Sequence, residues 1–161
     1  MRATPAAHQA LRIAPLVDHV AHLPLLAAWN ARSWGTATGR SHDGYVARLT
    51  GYLSHGPLPM ALIALWDGEP AGTACINLDD MSTRPSLSPW LANLYVDPPF
   101  RRRGLGSALV RAAEDAARAA GHMRLHLYTP NQERLYADLG WRTTERCTYE
   151  GEDVAVMLRE L

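Results

Sequence analysis

Hydrophobic and polar positions repeat with two different periods along this chain, and the switches between them predict its elements. Residues 11–14 alternate and predict a first strand stopped at Pro15. Val17, Val20, Leu23, Leu26 and Ala27 recur at helical spacing, so residues 16–34 predict a helix, kinked or broken at Pro24. Residues 35–40 predict a loop. Ser41 is then placed to cap a second helix carrying Tyr45, Leu49, Tyr52 and Leu53 on one face and ending at Gly56-Pro57. Residues 60–66 form an apolar run, Asp67-Gly68 a hairpin turn, and residues 71–78 an antiparallel return strand. A polar loop over 79–88 leads to a central strand over 89–96.

A helix follows, with Leu105, Leu109, Ala112 and Ala116 on its inner face and its end at Gly121. Residues 123–128 alternate as another strand. Thr129-Pro130-Asn131-Gln132 predicts a helix start: threonine caps, proline takes the first position and Gln132 completes a capping box. That helix carries Leu135, Tyr136 and Leu139 and stops at Gly140. Residues 141–148 and 153–158 alternate as the arms of a final hairpin around Glu150-Gly151. The order is β-α-α-β-β-β-α-β-α-β-β, an α/β chain without repeat or linker.

Composition narrows the function. The chain has 161 residues, enough for one domain with a full core, and 47% are hydrophobic. Its formal net charge is zero, which argues against general nucleic-acid or anionic-membrane binding. Two distant cysteines, Cys75 and Cys147, make neither a disulfide framework nor a zinc site. The histidines have no metal-ligand spacing; His19 and His22, at i and i+3, read as a surface pair. No apolar run reaches the roughly 20 residues of a membrane span. Residues 1–10 lack periodicity and an apolar signal core, so they are expected to fray, and the protein is expected to be cytoplasmic.

The chemistry is concentrated in LYVDPPFRRRGLGSALV, residues 94–110. An apolar strand ends at Asp97-Pro98-Pro99, Arg101, Arg102 and Arg103 follow, and Gly104-Leu105-Gly106-Ser107 opens a helix. The first turn of a helix presents N–H groups with no internal partner and the positive end of the helix dipole. Such a terminus binds phosphate or pyrophosphate. Glycines let an anion approach those amides, and arginines add charge-assisted donors. A Walker loop is excluded because no Gly-Lys-Ser/Thr follows at the required spacing, and the third glycine of a dinucleotide fingerprint is missing.

Arg101-Arg102-Arg103-Gly104-Leu105-Gly106 resembles the R/Q-x-x-G-x-G/A signature of the GNAT superfamily of acyl-CoA-dependent N-acetyltransferases. Tyr136-Ala137-Asp138-Leu139-Gly140-Trp141 is similar to that family's Y-x-x-x-G-F/W segment. The likeness is specific over residues 89–141 and architectural before them. It implies a mixed, twisted sheet with helices on both faces and a splayed central strand. It also implies acetyl-CoA as co-substrate and no metal. Pantetheine would follow the backbone of Leu94, Tyr95 and Val96, and the pyrophosphate would sit on Arg102 to Ser107. A backbone N–H near Leu94 or Tyr95 would polarise the thioester carbonyl. Tyr136 aligns with the general acid that protonates the departing thiolate. A phenol suits that role, with an unperturbed pKa of about 10. Many relatives place a cofactor-binding asparagine seven residues before this tyrosine. Here the position is Thr129, which serves as cofactor contact or only as a cap.

The general base stays open among Asn93, Asp79, Asp80, His126 and water, with Tyr128 on the same strand as His126. The acceptor pocket is expected from the first two helices and the 79–90 loop, with Trp29, Trp34, Tyr45, Trp66 and Trp90 as candidate walls. The leading reading is acetyl transfer to a small-molecule amine by direct attack. A protein N-terminal or lysine acetyltransferase and a non-catalytic acyl-CoA-binding domain are the alternatives. Oligomeric state is open, a homodimer included.

Overall fold

The computed structural model describes residues 10–161. The expectation for residues 1–10 therefore lies, except for Ala10, outside the described residues. Seven strands form one sheet in the order β1-β2-β3-β4-β5-β7-β6. In chain order these are β1 (Leu11–Pro15), β2 (Met60–Trp66), β3 (Glu69–Asn77), β4 (Trp90–Val96), β5 (Arg124–Thr129), β6 (Arg142–Tyr149) and β7 (Glu152–Glu160). Four α-helices cover it: α1 (Leu23–Thr38), α2 (His42–Thr50), α3 (Leu105–Ala119) and α4 (Glu133–Asp138). All strand pairs are antiparallel except β4 with β5. This is the mixed α/β architecture that the sequence predicts.

The hydrophobic pattern explains the layers. β2 and β3 are buried almost throughout and read as near-continuous apolar runs. Leu105, Leu109, Val110, Ala113 and Ala117 of α3 pack on one face of the sheet with Tyr136 and Trp141. Leu26, Ala27, Trp29, Tyr45 and Leu49 of α1 and α2 pack on the other. The predicted inner face of α3 is rotated by one position. Ala113 and Ala117 are the buried alanines, and Ala112 and Ala116 flank them.

Other differences have local causes. Residues 16–22 form a 3₁₀ segment rather than the first turns of α1, and the break falls at His19, with Pro24 seated in the first turn of α1. α1 continues through the expected 35–40 loop to Thr38 and stops at Gly39, whose φ of 69° is left-handed. Gly35 is helical where the Arg40 carbonyl passes close, 3.0 Å from where a Cβ would stand. α2 ends at Thr50, so Tyr52 and Leu53 pack from the following turn instead. Ser41 caps it as predicted, accepting from the Gly44 N–H at 3.1 Å. Pro130 is not the first residue of α4. Thr129 Oγ1 takes the Gln132 N–H at 3.0 Å, which holds 130–131 ahead of the helix, and α4 starts at Glu133.

β4 is split away from its parallel neighbour. It pairs with β5 only at Trp90 opposite His126. Against β3 its register slips between Thr73 and Cys75, and Asn93 takes a left-handed φ of 54°. An extra residue in one strand bends it and raises its twist. The bulge thus opens a gap beside Asn93 and Leu94. Gly72 of β3 supports this bend, because a Cβ there would lie 2.7 Å from the Tyr95 carbonyl oxygen and 3.1 Å from Leu109 Cδ1. Gly72→Ala should cost about 1–3 kcal/mol of stability by overpacking, measured by chemical unfolding.

Candidate active site

The turn after β4 builds an anion cradle. A short 3₁₀ turn, Pro98–Phe100, redirects the chain, and the Arg101 side chain anchors it by donating from Nε to the Val96 carbonyl at 2.9 Å. Arg102 and Gly104 then adopt left-handed φ values of 62° and 82°, and Gly104 is the N-cap of α3. Among the described residues, none of the N–H groups from Arg102 to Ser107 is used in a turn or loop bond between backbone groups; the first helical bond is donated by Ala108. Successive unsatisfied amides at a helix N-terminus attract an oxyanion. A Cβ on Gly106 would meet only Val96 Cγ2, at 3.9 Å, so the approach from solvent is open.

This cradle heads a cleft of about 540 Å³ lined by Leu94, Val96, Arg101, Gly106, Ser107 and Tyr136 among others. Tyr136 comes from α4 and is 8% exposed. Its ring meets Trp141 edge-on, with centroids 6.1 Å apart. Burial alone pushes its hydroxyl up to about 12. The phenol therefore keeps its proton at neutral pH, as a proton donor must.

On the opposite face of β4 a second cleft system lies under α1 and α2. One part, of about 150 Å³, is lined by Trp34, Tyr45, Arg48, Asp80, Asn93 and Tyr128 among others. It continues into a space of about 420 Å³ along the 79–85 loop, Tyr149 and Glu150. Asp80 has a side-chain exposure of 14% and accepts from Asn77 Nδ2 at 3.2 Å. Burial raises its pKa to about 6, against the lowering effects of Arg48, the Asn77 bond and Arg40, with Glu150 adding to the rise.

The expected site residues divide accordingly. Leu94 and Val96 face the first cleft with the α3 core. Tyr95 faces the other way: it packs on Trp29 at 5.1 Å and its hydroxyl lies between Arg32 and Asp97. Arg101, Arg102, Gly104, Leu105, Gly106 and Ser107 line the first cleft. Arg103 turns aside and stacks on Trp66 at 4.9 Å. Thr129 lines a neighbouring cleft beside β7, with its hydroxyl engaged by Gln132.

Among the base candidates, Asp80 and Asn93 reach the second cleft and Asp79 stands at its exposed rim. His126 instead bonds the Pro89 carbonyl through Nδ1 at 3.2 Å and packs on Trp90. Burial lowers its pKa, which fits a structural, neutral imidazole. Of the expected aromatic walls, Trp34 and Tyr45 line the second cleft, while Trp90 is fully buried in the core. Arg40, Arg48, Tyr149 and Glu150 also line it, and the sequence reading did not single them out. The spacing of Arg48 from Tyr45 and Tyr52, i+3 and i−4, is the one local signal; Tyr149 and Glu150 arrive from the last hairpin and carry none.

Among the described residues no helix is long and apolar enough to cross a membrane. A search of curated proteins finds no sequence match. Solved structures give the fold. An acetyltransferase of the GNAT family from Streptococcus pneumoniae superposes with a TM-score of 0.68 at 21% identity, covering 94% of this chain and 99% of that one. A Salmonella typhimurium protein solved with its cofactor acetyl-CoA gives 0.68 at 18% identity, with 95% of each chain covered. N-acetylglutamate synthase from Neisseria gonorrhoeae, solved with coenzyme A and N-acetylglutamate, gives 0.67 at 22%, over 94% of this chain but 35% of that protein. The model of the acetyltransferase (GNAT) family matches residues 23–141, which span the anion cradle, the splayed strand and Tyr136. The chain belongs to the GNAT acetyltransferases and is an acetyl-CoA-dependent acyltransferase.

Proposed function

We propose that the protein acetylates the amine of a small molecule by direct attack on acetyl-CoA. The observation that carries this reading is the pair of clefts on either side of β4, one lined by Leu94 and the other by its neighbour Asn93, where the strand splays. The cradle at Arg102–Ser107 takes the pyrophosphate, and the thioester reaches the gap along Leu94 and Val96. The acceptor enters from the α1–α2 side, and its nitrogen lone pair attacks the thioester carbonyl carbon. A backbone N–H near Leu94 or Tyr95 stabilises the oxyanion. As the C–S bond breaks, the Tyr136 hydroxyl gives its proton to sulfur, and solvent restores it. The proton lost by nitrogen passes to Asp80, directly or through water.

A small acceptor is favoured over an extended peptide because the 79–89 segment, which lines the second cleft, is pinned to β6. The Ser82 N–H donates to the Tyr149 hydroxyl at 3.2 Å, and Arg84 Nε donates to Glu145 at 3.0 Å. Met81 beneath it is 3% exposed. A turnover screen across polyamines, aminoglycosides, amino acids and peptides, read by free thiol release, tests the reading. Small amines should turn over; acetylation confined to peptides would contradict it.

Asp80 as base gives a pH signature. Its pKa is raised, so the carboxylate is the major form only above about 6. Log kcat/KM should therefore lose one additional unit per pH unit below about 6. Asp80→Asn should lack that steepening and lower kcat by about 100-fold, the low end for general base catalysis. The same raised pKa means that ionised Asp80 opposes folding. The penalty sets in as pH rises past the unfolded value and is complete above about 6. Loss of activity in a variant that is no less stable thus points to chemistry.

A further inference from the structure

The acceptor cleft carries more charge chemistry than amine capture requires. Two arginines share its wall, Arg40 from the turn before α2 and Arg48 from the last turn of α2. Arg40 stacks its guanidinium 5.2 Å above the Tyr45 ring, and Arg48 stacks 5.3 Å above Tyr52. Stacking fixes the planes of both groups and leaves their edges to donate. Arg40 has no ion-pair partner among the described residues, and Arg48 makes only a long ion pair with Asp80. Arg48 comes no nearer than 3.8 Å to Asp80, and its Nε is buried with no acceptor. A buried donor left unpaired costs about 1–3 kcal/mol, more when it is charged. Such an arrangement is poised for an oxyanion ligand.

The opposite sign is also present. Asp79, Glu150 and Glu152 are exposed at the rim, and Asp80 lies deeper. A polyamine would suit these carboxylates but would have to lie against two guanidiniums. A dianionic phosphate would suit the guanidiniums but meet four carboxyl groups. A zwitterion satisfies both sets.

Resting on the acetyl-transfer reading above, we propose that the acceptor is an amino acid, its carboxylate held by Arg40 and Arg48 and its amine directed at the splay of β4 beside Asn93. Guanidinium forks match a carboxylate bidentately. The carboxylate would then act as the handle that sets the distance of the amine from the thioester, which is how a remote contact contributes to orientation.

The test compares three acceptor sets under saturating acetyl-CoA, with thiol release as the readout. These are free amino acids, the same amino acids as carboxamides, and the corresponding decarboxylated amines. Free amino acids should be preferred by roughly 10–100-fold in kcat/KM, the value of one to two charge-assisted bonds. Arg48→Gln and Arg40→Gln should each raise KM for the amino acid by at least tenfold and leave KM for acetyl-CoA within about twofold. Arg40 lies in the loop before α2, so its variant carries the test if Arg48→Gln does not fold. Equal turnover of the three sets, or preference for decarboxylated amines, overturns the amino-acid assignment and leaves amine acetylation standing. Thiol release with no amine of any set, nor with polyamines or aminoglycosides, overturns the acetyl-transfer reading itself.

Discussion

Gly106→Val should weaken coenzyme A binding by at least about 100-fold, or roughly 3 kcal/mol, in a protein that remains folded. The argument is local. Gly106 lies in the first turn of α3 with an ordinary backbone, and a Cβ there touches only Val96 Cγ2 at 3.9 Å. Valine is no worse than glycine as a helix residue, so the helix should keep its start. The branched side chain instead fills the space in front of the Gly106 and Ser107 amides. Charge-assisted bonds to those amides contribute about 1.5–3 kcal/mol each, and displacing the pyrophosphate forfeits at least two. Gly104 would be a poorer choice. Its φ of 82° would strain any side chain, so lost binding there could reflect a distorted turn. Titration calorimetry with coenzyme A, beside a thermal melt, decides it. Unchanged affinity in a folded variant would remove the cradle from the account.

Tyr136→Phe should lower kcat by about 100-fold while changing KM for acetyl-CoA by less than threefold. A proton donor to the departing sulfur acts mainly in the transition state, and loss of such an interaction lowers kcat and kcat/KM together. General acid catalysis is typically worth 10²–10⁴-fold; water in the cleft can substitute in part, which favours the low end. The variant is clean on structural grounds. Phenylalanine keeps the edge-on contact with Trp141, and no charge or hydrogen bond contributes to the shift of the hydroxyl's pKa. Stability should therefore stay within about 0.5 kcal/mol, as for a substitution that removes no packing or bond. Because burial pushes the phenol up to about 12, its ionisation should not appear in a pH profile near neutrality. Steady-state kinetics with chemistry rate-limiting checks this; unchanged kcat would return Tyr136 to the core.

The strand-to-helix turn over residues 94–110 was legible in sequence because it is local. Strand, double proline, arginines, glycines and helix follow one another within 94–110, and each residue type has a backbone reason for its position. Asp67-Gly68 was equally plain: both residues take left-handed φ, 48° and 83°, as a tight hairpin demands. The errors fall where one short-range contact competes with another. Residues 35–40 read as a loop, yet α1 runs on to Thr38, with the Arg40 carbonyl 3.0 Å from where a Cβ on Gly35 would stand. Pro130 reads as a first helical residue, yet Thr129 closes its own turn and delays α4 by three residues. The second cleft was mostly hidden. Arg40 and Arg48 come from the α2 region, Asp80 from the loop after β3, Asn93 from β4 and Tyr149 from the last hairpin. Only the folded sheet brings them together. The bulge at Asn93 was hidden for the same reason, since nothing in Trp90–Val96 marks an extra residue against β3.

The most direct test is the position of sulfur in a crystal structure with coenzyme A bound. The account places the pyrophosphate on the amides of Arg102–Ser107 and the sulfur within hydrogen-bond reach of the Tyr136 hydroxyl, roughly 3–3.5 Å, in the gap beside Leu94. A sulfur more than about 5 Å from that hydroxyl, beyond the reach of one hydrogen bond, or a pyrophosphate bound away from the start of α3, would contradict it.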